Sequence, residues 1–134
     1  MIKTLEVTVK TNKSEELVDI TDQIKDIVKK ENIKHGRVYL FVPHTTGAVT
    51  INENTDPNVK KDMLFSLRQA FPIEKEHLHF EGNSYAHIKS SVIGNDQTII
   101  IENHQLKLGR WQNIYFCEFD GPRQRSLYIQ LIGE

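Results

Sequence analysis

In Leu5-Glu6-Val7-Thr8-Val9-Lys10 apolar and polar residues alternate, the period of two that gives a half-buried β-strand one apolar face. Further strand-like runs follow: Glu16 to Ile20, Arg37 to Val42, Ala48 to Glu53, Gln97 to Glu102, Trp111 to Phe119 and Arg125 to Ile132. Pro43 closes the third of these, because proline has no N–H to give to a ladder. Asp120-Gly121-Pro122 reads as the turn between the last two. Three stretches break the pattern. Thr21 or Asp22 caps a helix whose apolar face is Ile20, Ile24, Ile27 and Val28, with Gly36 beyond its end. Asp56-Pro57 starts a second, with Val59, Met63, Leu64, Leu67 and Phe71 on one side and Pro72 as its stop. A third, short helix runs from Asn83 or Ser84 to Val92, ended by Gly94. Strands joined by hairpin-length connections, with two or three helices between them, predict an α+β fold with mainly antiparallel sheet.

The chain of 134 residues shows no internal repeat, low-complexity segment or linker, so a single domain over residues 1–134 is expected. Seventeen Lys and Arg against eighteen Asp and Glu leave a net charge of −1, which gives no support to non-specific nucleic-acid or membrane binding. The longest apolar run, Val38 to Val42, is far too short to span a bilayer. No apolar signal segment follows Met1, and the one cysteine cannot close an internal disulfide, so the chain reads as cytoplasmic. Phe116 and Phe119 flank Cys117, which reads as a packed strand residue without an activated thiol.

Four clusters carry side chains suited to chemistry. Pro43-His44-Thr45-Thr46-Gly47 joins two strands and holds an imidazole and two hydroxyls near backbone N–H groups freed by the turn; the plain alternative is a polar hairpin loop. Asn52-Glu53-Asn54-Thr55-Asp56 can bind a cation through oxygen or orient a histidine, or simply cap a helix. If Glu76 to Phe80 is extended, His77 and His79 share a face; with His44 and His87 they suit Zn²⁺ or a similar ion, against the alternative of scattered surface histidines, as His35 and His104 read. In Gly109-Arg110-Trp111-Gln112 the only tryptophan stands near a glycine, suited to a ligand or to packing. Arg123 and Arg125 are planar forks for phosphate, or solvated turn residues. Together these residues describe a polar or phosphate-handling pocket without naming a reaction, and no phosphate-binding glycine loop is present.

The same clusters resemble the signatures of the YjbQ-like family. His44-Thr45-Thr46, Thr50-Ile51-Asn52-Glu53-Asn54, Asp56-Pro57 and Asp62 are similar to its N-terminal signature. Asn83 to Ser91, Gly109, Trp111-Gln112 and Glu118-Phe119-Asp120-Gly121-Pro122-Arg123 are similar to its C-terminal one, and the likeness runs to Ile132-Gly133-Glu134. The resemblance implies a mainly antiparallel α+β sandwich, a homotrimer and a secondary thiamine-phosphate synthase, which joins a pyrimidine methyl diphosphate to a thiazole phosphate and releases diphosphate. Carried onto this chain, it makes His44, Glu53 and His87 catalytic. Thr45, Thr46, Asn52, Lys89, Trp111, Gln112 and Arg123 would hold the phosphorylated substrate, and His44, His79 and His87 a divalent metal, Zn or Mg. Two positions depart from the pattern. Arg110 replaces a usual Thr, and Tyr85 replaces an acidic residue that would support His87. The alternative is a trimeric module that binds metal or phosphate without turnover.

Overall fold

A computed structural model describes all 134 residues. In chain order the elements are β1 (Ile2–Lys10), β2 (Glu16–Asp19), α1 (Thr21–Lys30), β3 (His35–Phe41), β4 (Gly47–Glu53), α2 (Pro57–Ala70), α3 (Ser84–Ile93), β5 (Asp96–Glu102), β6 (Gln105–Leu106), β7 (Gln112–Glu118) and β8 (Gln124–Gly133). Five strands form one sheet in the order β1-β8-β3-β5-β6, and three form another in the order β2-β7-β4. Every pairing is antiparallel, so the expected α+β class with mainly antiparallel sheet is what the chain adopts.

The alternating strands build the larger sheet. Val9, Val38, Leu40, Ile99, Ile101, Leu127, Ile129 and Leu131 turn inward and are buried, while Ile100 and Tyr128 on the opposite face are exposed. Against them pack Ile24 and Val28 of α1 and Val49, Ile114 and Phe116 of the smaller sheet. The smaller sheet is covered on its other face as well. Ala48, Tyr115, Cys117 and Phe119 lie there with Ala86 of α3, flanked by Met63, Leu64 and Leu67 of α2. This two-sided burial explains why Ile114-Tyr115-Phe116-Cys117 has no polar member: neither face meets water. Each fully buried Ile or Phe contributes about 1.5–3 kcal/mol.

The helices begin as local chemistry dictates, with one correction. Asp56 accepts from the Asn58 N–H at 2.9 Å with Pro57 behind it, as expected. Neither Thr21 nor Asp22 caps α1. Its N-cap is Ile20, and Asp19 accepts the Thr21 N–H at 3.0 Å. The Thr21 hydroxyl is engaged elsewhere, accepting the Ile114 N–H at 2.8 Å and so tying α1 to β7. α2 sits at an edge. Val59, Met63, Leu64, Leu67 and Phe71 are each half-buried, and none of its residues is buried. Glu76 to Phe80 is not a strand but an irregular segment between α2 and α3, with turn bonds from His77 N–H to Glu74 and Gly82 N–H to His79.

Lys89 was expected at the substrate and is not available to one. It is 1% exposed on the inner side of α3, bonded to Glu15 at 2.7 Å and packed over the rings of Tyr85 and Phe119. The pair fastens the β1–β2 connection to the helix. Glu15→Ala strands a buried ammonium, and we expect it to cost about 3 kcal/mol in urea unfolding. A loss within about 0.5 kcal/mol, the range of ordinary surface changes, would show that the ammonium reaches water instead.

Candidate functional site

β3 pairs with β8 down to Phe41, opposite Tyr128, and then leaves it at Pro43. The ladder therefore stops short of Ser126. The Ser126 N–H is taken up by a side chain instead, donating to His44 Nε2 at 2.9 Å. A donor on Nε2 requires its lone pair, so the neutral ring carries its proton on Nδ1. Burial, and after it the charge of Arg125, pushes the imidazole below its ordinary 6.5.

Behind the His44 loop lies a buried ion pair. Glu118, with 0% exposure, accepts from Arg125 Nε at 2.9 Å and from its terminal nitrogen, from the Thr11 hydroxyl at 2.7 Å and from the Asp120 N–H at 3.1 Å. Burial alone would raise the Glu118 carboxyl, but the bonds from Arg125, Thr11 and Asp120 outweigh it and hold the group below the usual carboxylate value. Arg125 also donates to Thr46 Oγ1 at 2.8 Å, which fixes the loop that carries His44. The turn after β7 is pressed close. A Cβ on Gly121 would stand 2.4 Å from the Lys13 carbonyl and 2.8 Å from Glu118 Cγ, so only glycine fits.

These elements enclose a bowl of about 430 Å³ whose lining is polar but for Pro43. The loop supplies His44, Thr45 and Thr46; the segment before α3 supplies His79, Glu81 and Asn83; α3 supplies His87; the turn and β8 supply Asp120, Arg123 and Arg125. His79 and His87 meet edge to face with ring centres 5.4 Å apart. Arg123 is held by two bonds to Asp120, Nε to the carbonyl at 2.7 Å and a terminal nitrogen to the carboxylate at 2.8 Å. Asn83 donates to the same carboxylate at 2.9 Å, and this leaves its buried Oδ1 without a donor. Such an orphaned acceptor costs about 1–3 kcal/mol, a cost that collects at functional walls. A larger cleft of about 510 Å³ between α1 and the β5–β6 turn holds Lys25, Lys29 and His104 but none of the converging imidazoles.

The residues expected in one pocket fall into two groups. His44, Thr45, Thr46, His79, His87 and Arg123 share the bowl. Asn52, Glu53, Trp111 and Gln112 lie at the far end of the β4–β7 ribbon, where Glu53 pairs with Gln112 while Gly47 pairs with Glu118. Seven residues of extended strand separate the two ends by about 20 Å. At that far end the amides serve the backbone. Asn52 accepts the Glu53 N–H at 2.7 Å, Glu53 accepts the Thr55 N–H at 3.1 Å, and Asn54 donates to the Arg110 carbonyl at 3.1 Å. Gln112 accepts the Gly109 N–H at 2.8 Å, and Arg110 stacks 4.9 Å from the Trp111 ring, which is 54% exposed. His77 does not line the bowl. Cys117 is buried as expected, its thiol pushed up to about 12. Arg125 is not a phosphate fork, because Glu118 and Thr46 occupy it. The signal for that pair was Glu118 itself, a carboxylate inside an apolar run.

No three His, Cys, Asp or Glu side chains stand together as a metal set. Two imidazoles bound to one Zn²⁺ at 2.0–2.1 Å place their ring centres about 5 Å apart; His79 and His87 come near that spacing, but their edge-to-face contact does not aim both in-plane lone pairs at one point. His44 does not join them, since Nε2 is occupied by Ser126 and Nδ1 carries the proton.

A family model for UPF0047 proteins of the YjbQ-like kind matches residues 5–134. The chain belongs to this family. It is 49% identical over 134 residues to UPF0047 protein YugU of Bacillus subtilis, covering 99% of this chain and 100% of that one. It is 51% identical over 126 residues to a UPF0047 protein of Methanocaldococcus jannaschii, covering 94% and 91%. A solved structure from Clostridium acetobutylicum, 48% identical, superposes with a TM-score of 0.93 over 96% of this chain and 99% of that one. A YjbQ-like structure from Sulfolobus solfataricus, 32% identical, gives 0.94 over 100% and 99%. The expected thiamine-phosphate synthase activity does not stand. The relatives carry a family designation and no reaction, and the Sulfolobus protein is described as of unknown function. No helix of the chain is long and apolar enough to cross a membrane.

The depressed His44 value has a sign. Where the folded ring resists protonation and the unfolded one does not, stability is lost as pH falls below the ordinary 6.5. His44→Gln keeps an acceptor for Ser126 but cannot titrate, so the variant should lose less stability than the native chain between pH 7.5 and 5. Parallel melting curves for the two proteins over that range would refute the assignment.

Proposed function

We propose that the bowl binds a small phosphorylated ligand. One observation carries the reading: hydrogen-bond donors from four segments converge in a bowl whose lining is polar but for Pro43. Arg123 spends Nε and one terminal nitrogen on Asp120 and keeps further N–H groups for a ligand. The Nδ1–H of His44 and the hydroxyl of Thr45 add neutral donors. Both arginines have carboxylate partners, and Glu81 adds a negative charge, so the bowl disfavours polyanions and suits a single phosphate group. The single thiol, buried and inert, fits a cytoplasmic protein.

Calorimetric titration with inorganic phosphate tests this. Saturable binding is expected, and Arg123→Ala should weaken it about tenfold or more, the loss of a charge-assisted bond. Absence of saturable binding at millimolar phosphate would remove the proposal.

The spacing of His79 and His87 favours a second reading, in which a divalent ion between the two rings adds positive charge for the phosphate. Zn²⁺ should then raise the melting temperature of the native chain and not that of His87→Ala; an equal effect on both would place the ion elsewhere.

A homotrimer, implied by the resemblance, would cover apolar side chains that a lone chain leaves in water. Leu78 and Phe80 on either side of His79 are 98% and 96% exposed, and Phe65 of α2 is 55% exposed. Light scattering should report a trimer for the native chain and smaller species for Phe80→Glu.

A further inference from the structure

The bowl has a second chamber. On the other side of His44, Thr45 and His87 lies a space of about 440 Å³, walled by Ser90, Ser91, Gly94 and Asn95 at the end of α3, with no apolar side chain in its lining. The two spaces adjoin, with His44, Thr45 and His87 lining both. None of the sequence clusters pointed to Gly94 or Asn95.

The chambers differ in charge. The first contains Arg123 and Arg125. The second contains no lysine or arginine, and Nε2 of His44 on its wall is taken up by the Ser126 N–H. It also lies at the C-terminal end of α3, where the helix dipole is negative. An anion gains nothing there. What the wall offers beyond the donors already given to the phosphate is the Ser91 hydroxyl, the Asn95 amide and the His87 ring, all suited to hydroxyl groups of a neutral partner. Ser90 contributes shape only, its hydroxyl being bound to the Gly47 carbonyl at 2.5 Å. Gly94, at φ +103°, turns the chain out of the helix so that its carbonyl receives the Val49 N–H and that of Asn95 the Val42 N–H. The amide of Asn95 is thus carried on a fixed backbone and its residue is exposed.

We propose that the ligand is a phosphomonoester of a polyol, its phosphate in the Arg123 chamber and its hydroxyl-bearing body in the Ser91–Asn95 chamber, reaching past His44 and His87. The assignment rests on the phosphate reading of the first chamber and adds the class of molecule to which the phosphate is attached.

Titration of the folded chain with inorganic phosphate, ribose 5-phosphate and ribose separates the two. The sugar phosphate should bind about tenfold or more tightly than inorganic phosphate, the difference expected of one or two well-made hydrogen bonds. Asn95→Ala and Ser91→Ala should each reduce that advantage and leave inorganic phosphate binding unchanged, while Arg123→Ala should weaken both. Equal affinity for phosphate and ribose 5-phosphate would overturn the polyol assignment while the phosphate site stood. An advantage untouched by either Ser91→Ala or Asn95→Ala would overturn it too, by placing the sugar outside the second chamber. If neither phosphate compound binds, both readings fall.

Discussion

The buried pair of Glu118 and Arg125 is the constraint on which the site depends. A carboxylate and a guanidinium at 0% and 4% exposure are costly to desolvate, and the structure offsets that cost with a full set of bonds. Glu118 accepts from Thr11 past the end of β1, from Asp120 in the turn and from Arg125 in β8. Arg125 in turn donates to Thr46 in the loop after β3. The β1–β8 edge of the larger sheet is thereby tied to the β4–β7 end of the smaller one, two sheets that share no ladder. The apolar core could tolerate small shifts between the two sheets; this network cannot, because any slip leaves a buried charge without its partner.

The bowl follows from that arrangement. Thr46 is fixed by Arg125, so the loop can only place His44 against β8, where the end of the β3 ladder has left the Ser126 N–H open. Asp120 is fixed by its own N–H on Glu118, and its side chain then gathers Arg123 and Asn83. Thr46, Asp120, Arg123 and Asn83 are thus one or two bonds from the buried pair. Removing Glu118, which does not itself line the bowl, would disperse residues that do, the behaviour expected of a positioning group rather than of a contact residue.

Features decided by neighbours in sequence were legible; features decided by topology were not. Asp56-Pro57 reads as a helix start because both residues act on the backbone beside them. The strands of the larger sheet read from alternation because one of their faces meets water. The misplaced cap of α1 has the opposite character: Thr21 looks like a cap by type, but a long-range bond to Ile114 claims its hydroxyl. Glu76 to Phe80 failed for a related reason. A shared face for His77 and His79 requires an extended segment, yet Leu78 and Phe80 have no core to enter and the segment pairs with nothing.

The site was half legible, and the division is physical. His44, His79, His87 and Arg123 were found by residue type, and they do converge. Lys89 and Arg125 were chosen by the same criterion and turned out to be spent on Glu15 and Glu118. A cation on an inward-packed face is more often half of a buried pair than a ligand, since an unpaired charge could not be buried there. Asn52, Glu53, Trp111 and Gln112 show a different limit. They sit in a recurring pattern because β4 and β7 must end together, with side chains closing turns that the ladder leaves open. The resemblance therefore spans both ends of the β4–β7 ribbon, and the proposed ligand site lies at only one of them. What separates the two ends here is the destination of the polar atoms: at the far end they are bonded to the chain's own backbone, and in the bowl Arg123, Thr45 and the Nδ1–H of His44 are left with donors to spare.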